Sequence, residues 1–320
     1  MQGQVRHYVT VIGEALIDLV PAGDPLTFRA RQGGSPLNVA VGLARLGIPT
    51  SMMARLGDNS LGRVLRGYLQ AESVDIASSP GANEPTTLAV VSLDDDGNAI
   101  YEFYTEGTAD WQWTREELDR LPARTTILHF GSISSWTDPG WIPILEAANR
   151  AHISGQVLVS YDPNVRPALC GDRAQATSRV EGAVSSSHLV KVSGEDLAWL
   201  YPGADTGSIA QHWVGLGPDL VVVTDGLAGA RAYNDRGLLA AQPGRQVAVA
   251  DTVGAGDSFS AALLAALAEV GAATPIGLGH LGVDAVESAL RFAVLASSIT
   301  CTRVGANPPT SAEMAEAIGT

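Results

Sequence analysis

The sequence predicts an α/β fold: a mostly parallel central sheet flanked by helices, with a small β-sheet lid attached. Three observations lead there. Short β-branched runs alternate with helical patterns for most of the length, the alternation that builds parallel sheets. No internal repeat or proline-rich linker divides the chain, so residues 1–320 read as one domain. With 46% hydrophobic residues, that domain can bury a large core. One region departs from the alternation: Thr86–Leu93 and Ala99–Tyr104 flank Asp94-Asp95-Asp96-Gly97-Asn98, the pattern of an antiparallel hairpin.

Each element rests on a local signal. Tyr8–Ile12, Thr126–Phe130, Val157–Tyr161, Leu189–Val192, Leu220–Thr224 and Val247–Ala250 are largely apolar runs, as strands covered on both faces require. Ser35–Leu46, Ser60–Leu69, Ile142–His152, Ser208–Trp213 and Ala255–Ala268 read as helices. In the first of these Ser35 is the expected N-cap, Pro36 takes the first helical position, and Gly47 sits where the helix should stop. Leu16–Arg29 reads as extended chain broken by a Pro-Ala-Gly-Asp-Pro turn at 21–25. With the hairpin it makes the predicted lid, approximately residues 16–32 and 86–106; the alternative is an ordinary edge hairpin of the main sheet.

Composition removes whole classes of function. There are 20 Lys plus Arg against 34 Asp plus Glu, a net charge of −14, and such a chain repels nucleic acid and anionic lipid. Nineteen of the basic residues are arginine, and Lys191, the one lysine, follows Val190 rather than the glycine of a Walker phosphate loop. Cys170 and Cys301 lie far apart in no CxxC spacing and read as reduced thiols of a cytoplasmic protein. The apolar run near the start ends at Glu14, too short for a signal peptide, and no apolar stretch reaches the ~18 residues of a spanning helix.

The chemistry concentrates in Asp251-Thr252-Val253-Gly254-Ala255-Gly256-Asp257, which runs directly into an alanine- and leucine-rich helix. Backbone N–H groups at a helix start are unsatisfied by the helix and sit at its positive dipole end. Small residues at 254–256 let a phosphate approach them closely. A carboxylate beside such an anion cradle is placed to take the proton from a hydroxyl that attacks phosphorus. The plainer reading, a glycine-rich turn with Asp257 as a capping acid, leaves Asp251-Thr252 without a purpose.

This segment resembles the C-terminal signature of the ribokinase-like (PfkB) family of carbohydrate kinases. Gly33-Gly34-Ser35-Pro36-Leu37-Asn38-Val39-Ala40 resembles the family's N-terminal signature. The resemblance extends from Gly13-Glu14-Ala15-Leu16-Ile17-Asp18 to Thr302-Arg303-Val304-Gly305-Ala306 and is closest to fructokinases. It implies Asp257 as general base, an anion hole from the backbone at Gly254, Ala255 and Gly256, and a sugar site lined by Asp18, Gly33, Gly34 and Asn38. Asn38 has apolar neighbours Leu37, Val39 and Val41, so it faces something other than bulk solvent.

Three further sites each follow a predicted strand, the position where open parallel sheets gather ligands. Asp162-Pro163-Asn164-Val165-Arg166 resembles a DxNxR element whose arginine holds phosphate. Ser193-Gly194-Glu195-Asp196, after Lys191, stands where relatives carry an NxxE element that organises magnesium through waters. Its residues depart from that pattern and leave open whether Glu195 or Asp196 does the work. Thr224-Asp225-Gly226-Leu227-Ala228-Gly229 resembles a nucleotide-contacting turn, with Thr224, Gly226 and Gly229 joining Lys191 and Ser193 at the nucleotide. By the same resemblance Asp251, Val253, Thr300, Arg303 and Gly305 mark a potassium site built on carbonyls. Val294, where relatives often carry a polar residue near the adenine, makes that wall apolar.

Other features carry no chemistry. The six histidines are dispersed without metal-ligand spacing, and no GxSxG element marks a serine hydrolase. Trp111-Gln112-Trp113 reads as a packing or interface cluster, and Asp94–Asp96 as a solvated turn. The resemblance implies an ATP- and magnesium-dependent fructokinase, with 2-keto-3-deoxygluconate kinase and ribokinase as alternatives. Arg29, Arg31 or a lid arginine would meet the carboxylate of an acid substrate. A catalytically silent sugar- or nucleotide-binding regulator is the alternative of another class, and such a binder needs no proton acceptor. The resemblance also implies a homodimer paired through the lid.

Overall fold

The computed structural model describes residues 7–93 and 99–319. In chain order its strands are β1 (Val9–Ile12), β2 (Leu16–Ala22), β3 (Asp24–Gly33), β4 (Thr50–Met53), β5 (Leu56–Gly57), β6 (Gly81–Ala82) and β7 (Leu88–Leu93). They continue with β8 (Ala99–Tyr104), β9 (Ile127–Gly131), β10 (Leu158–Asp162), β11 (Leu189–Ser193), β12 (Leu220–Thr224), β13 (Ala230–Asn234) and β14 (Gly237–Gln242). The main sheet has the order β14-β13-β12-β11-β10-β9-β1-β4. From β4 to β12 every pairing is parallel, and β13 and β14 fold back antiparallel at one edge.

Strand alternation splits the core into two layers. Leu220 and Val222 join the helices Ser35–Arg45, Ala255–Glu269 and Val283–Cys301 on one face. Val221 and Val223 join Trp141–Ser154, Arg173–Ser185 and Thr206–Val214 on the other. Trp111 and Trp113 are buried in this second layer, the packing role their sequence suggested.

The lid is a separate sheet of order β3-β2-β7-β8, so the edge-hairpin alternative does not hold. β2 pairs antiparallel with β3 and parallel with β7, and β7 pairs antiparallel with β8. Gly23 makes the β2–β3 turn at φ 87°. The turn at 94–98 lies outside the described residues, and with it the reading of its acidic run.

One expected strand is absent: Val247–Ala250 is irregular chain. The reason lies just upstream, where the backbone packs against the turn after β12. A Cβ added to Gly229 would stand 1.9 Å from the Gln242 carbonyl oxygen, and one on Gly244 2.7 Å from that of Leu227. This contact carries residues 243–250 away from the sheet edge, and Val247 and Val249 line a cleft instead. Ser35 is likewise not the N-cap. Gly34 holds that place at φ 106°, with no side-chain cap.

Phe130 tests the packing of the second layer. It is fully buried on β9, with its ring 4.8 Å from that of Tyr161. Phe130→Ala is expected to lower unfolding free energy by about 3–5 kcal/mol in urea titration at unchanged m-value. A loss below about 0.5 kcal/mol, the scale of surface substitutions, would contradict this packing.

Candidate active site

Beyond the carboxyl ends of β1, β9, β10, β11 and β12 opens a cleft of about 1120 Å³. Its wall takes residues immediately following each of these strands, including Glu14, Ser132, Asn164, Glu195 and Asp225. The lid closes one side with Asp18 from β2 and with Tyr101 and Phe103 from β8, whose rings stack 5.9 Å apart.

Asp257 lines the cleft from the first turn of the helix Ala255–Glu269 and is only 9% exposed. Gly254 caps that helix at φ 78°, a left-handed conformation, and a Cβ there would come within 2.6 Å of the Ala306 side chain. The two carboxylate oxygens of Asp257 have separate partners. The Ser35 hydroxyl donates to Oδ1 at 2.6 Å, and the Asn38 amide donates to Oδ2 at 2.8 Å. Burial pushes the pKa of Asp257 up, with the charge of Asp162 adding to it; the two hydrogen bonds and the Lys191 ammonium pull it back. Asn38 therefore faces the candidate base itself, and among the described residues nothing donates to its amide oxygen, which could accept from a ligand.

Asp18 faces the same space. Burial pushes its carboxyl up to about 6, against the nearby Arg166 guanidinium and with the added charge of Asp257. Gly34 lines the cleft, whereas Gly33 does not. Gly33 instead makes room for Asp18: a Cβ there would stand 2.2 Å from Asp18 Oδ2. Arg166 lines the cleft and folds over its own turn, donating to Asn164 Oδ1 at 2.8 Å and to the Val165 carbonyl at 3.0 Å.

Lys191 is buried on β11 and pairs with Asp162 Oδ2 at 2.9 Å. Ser193 caps the next helix, accepting from the Asp196 N–H at 3.0 Å, and Asp196 accepts from the Val165 N–H at 3.0 Å. Burial and the charge of Asp162 raise the Asp196 carboxyl to about 6, with Lys191, Ser193 and Arg166 opposing. Glu195 lines the same wall and is exposed. An exposed and a buried carboxyl on one turn form a donor set that fits a water-held magnesium ion. Thr224, Gly226 and Gly229 line the cleft beside them.

Asp251 joins two segments: its Oδ1 accepts from the Val253 N–H at 3.1 Å and its Oδ2 from the Gly305 N–H at 2.8 Å. Thr300 and Arg303 do not line the cleft. The Thr300 hydroxyl donates to the Ala296 carbonyl and Arg303 pairs with Glu313, which leaves only their backbones for a cation. Sequence reasoning missed Ser35 as a partner of Asp257, and it missed Tyr101 and Phe103. The period-2 pattern of Tyr101 and Phe103 in Ala99–Tyr104 was the available signal for one inward face.

The sequence matches the pfkB family carbohydrate kinases over residues 6–313. A fructokinase of Rhizobium leguminosarum bv. trifolii is 39% identical over 264 residues, 80% of this chain and 78% of that protein. A fructokinase structure from Xylella fastidiosa with bound ATP superposes with TM-score 0.87 at 28% identity, covering 98% of both chains. A fructokinase double mutant from Vibrio cholerae O395, crystallised with fructose, ADP and a potassium ion, gives 0.85 at 26%, covering 98% of this chain and 99% of that one. The sheet order, the separate lid and the family match agree, and the chain belongs to the pfkB family of carbohydrate kinases.

Proposed function

We propose that this carbohydrate kinase is an ATP-dependent fructokinase that phosphorylates the C6 hydroxyl of fructose. The observation that carries this reading is the buried Asp257, oriented by Ser35 and Asn38 at a helix N-terminus and facing a cleft shared with Asp18 and Arg166. Asp257 takes the hydroxyl proton as the sugar oxygen attacks the γ-phosphorus. The new O–P bond forms in line with the breaking bond to the β-phosphate, and ADP leaves. Backbone N–H groups at Gly254 and Gly256, together with Arg166, offset the charge spread over the phosphoryl oxygens. The Ala255 N–H, expected from the sequence to join them, already donates to the Thr252 carbonyl at 3.2 Å and is not available.

Asp18, Gly34 and the free oxygen of Asn38 would hold the sugar hydroxyls, with Gly33 giving Asp18 its space. Lys191, Ser193, Thr224, Gly226 and Gly229 line or support the nucleotide end. Glu195 and Asp196 would hold magnesium through water, and the ion supplies charge neutralisation to the phosphates when bound. Carbonyls near Asp251, Val253, Thr300, Arg303 and Gly305 would take potassium. Lid closure over the sugar would exclude water from the transfer. Leu26 and Phe28, exposed on the lid, offer the apolar surface for pairing with a second copy. Neither Arg29 nor Arg31 is among the residues lining the cleft; among the described residues Arg166 and Arg245 are the arginines that line it, so a sugar acid's carboxylate would have to meet one of these.

Three outcomes are expected. Coupled ADP release against a panel of sugars and sugar acids should be fastest with fructose; a preferred sugar acid would reassign the substrate. Asp257→Asn should lower kcat by roughly 100- to 10,000-fold with sugar binding nearly intact, and near wild-type turnover would remove Asp257 as the base. The pH profile supplies the third. A base must be ionised, and raised pKa values move that requirement upward, so kcat/KM should fall with acidification well above the ordinary carboxylate range. Asp18→Asn should remove the contribution near pH 6 and leave that of Asp257. An acid limb at the ordinary carboxylate value in the wild type would contradict the burial of both groups.

A further inference from the structure

Lys191 stands in a position that nucleotide contact alone does not explain. Its ammonium is 2.9 Å from Asp162 Oδ2, and Ser260 of the helix Ala255–Glu269 donates to the same oxygen at 3.2 Å. Among the described residues the ammonium has no other hydrogen-bond acceptor, so two of its three N–H directions remain open, and the residue lines the cleft. A Cβ built on Gly256 would stand 3.0 Å from Nζ. The ammonium therefore lies against the first turn of the helix that carries Asp257.

The charges around it are unequal. Asp162, Asp196 and Asp257 all act on Lys191 and outweigh the burial that opposes its charge. Only Asp162 is hydrogen-bonded to the ammonium; Asp196 and Asp257 act on it at longer range. His129 faces Asp162 and Lys191 from β9, and burial lowers its pKa to about 4, so it adds no charge at neutral pH. Arg166 stands toward Asp18 and Asp196. A buried ion pair is a poor source of stability, because desolvation costs about as much as the attraction returns. Folding alone gives little reason to place the chain's one lysine here.

We propose that Lys191 is a positioning residue for phosphoryl transfer: anchored by Asp162 and lying against Gly256, its ammonium fixes positive charge behind the Gly254–Gly256 backbone, where negative charge gathers as the phosphoryl group crosses. This rests on the kinase reading above and gives the buried pair a part in the transfer step.

The test compares wild type with Asp162→Asn, Lys191→Met and the double variant, measuring kcat and both KM values for fructose and ATP. Lys191→Met leaves Asp162 buried without its cation and is vulnerable to misfolding; the double variant removes both charges together. Asp162→Asn keeps the lysine but weakens its anchor, and its kcat is expected to fall between those of the wild type and the double variant. The double variant is expected to fold, with KM values near wild type and kcat lower by about 100-fold, the loss seen when one preorganised donor is removed from an anion site. A double variant with wild-type kcat would show Lys191 to be only a counter-ion to Asp162, and an unfolded one would assign the pair to the fold. Either result overturns the proposal, as does an Asp162→Asn enzyme as slow as the double variant. Wild-type protein that phosphorylates no sugar would instead sink the kinase reading itself.

Discussion

A hydrogen bond of 2.6 Å between the Ser35 hydroxyl and the Asp257 carboxylate joins two residues 222 apart in the chain. Together with the Asn38 amide it does what a buried carboxylate requires, supplying donors in place of the water it has lost. An Asp at this depth with no donors would hold its proton and have nothing to accept with. The bond can form only if the starts of two helices meet, and each is capped by a glycine in a backbone conformation that other residues rarely adopt. Those helices lie on one face of the main sheet, packed against the strand residues that fix their height. The site is thus a consequence of the sheet, transmitted through two helix starts to one carboxyl group.

Charge in this protein is arranged locally and against its overall sign. A chain of net charge −14 gathers Asp18, Asp162, Asp196 and Asp257 around a cleft proposed to receive a polyphosphate. Burial raises the pKa of Asp18, Asp196 and Asp257, so the folded state disfavours their charged forms. Arg166 and Lys191 counter this inside the site, and backbone amides at Gly254–Gly256 need no side-chain charge at all. Net charge argues well about long polyanions and poorly about a single nucleotide, whose phosphates meet only the local arrangement.

Much of the fold was legible because its signals are local. Apolar runs bounded by turns gave five strands of the main sheet within two residues, and small residues before an acid gave the start of the helix at Ala255. The lid followed from two extended stretches that broke the alternation. Most of what escaped at the site depends on residues far apart in sequence. Nothing near Ser35 reveals that its hydroxyl meets Asp257, and nothing near Gly33 reveals that its missing side chain is space for Asp18. Val247–Ala250 failed for the same reason: its composition suits a strand, but the close contact of Gln242–Gly244 with the turn after β12 takes it off the sheet. Arg173–Ser185 was missed because its mostly polar sequence shows little helical period.

The burial of Lys191 also sets what the outer surface can react with. Every other strongly basic side chain in the sequence is an arginine, so the folded chain presents no lysine ε-amine to solvent. Amines of that kind are the side chains that condense with reducing sugars to give Schiff bases. A protein proposed to work amid ketoses and their phosphates thereby offers them no lysine to glycate on its solvent-facing coat. Its single amine of this type is enclosed in an ion pair beneath the site, where amine-directed acylating and cross-linking reagents also have least access.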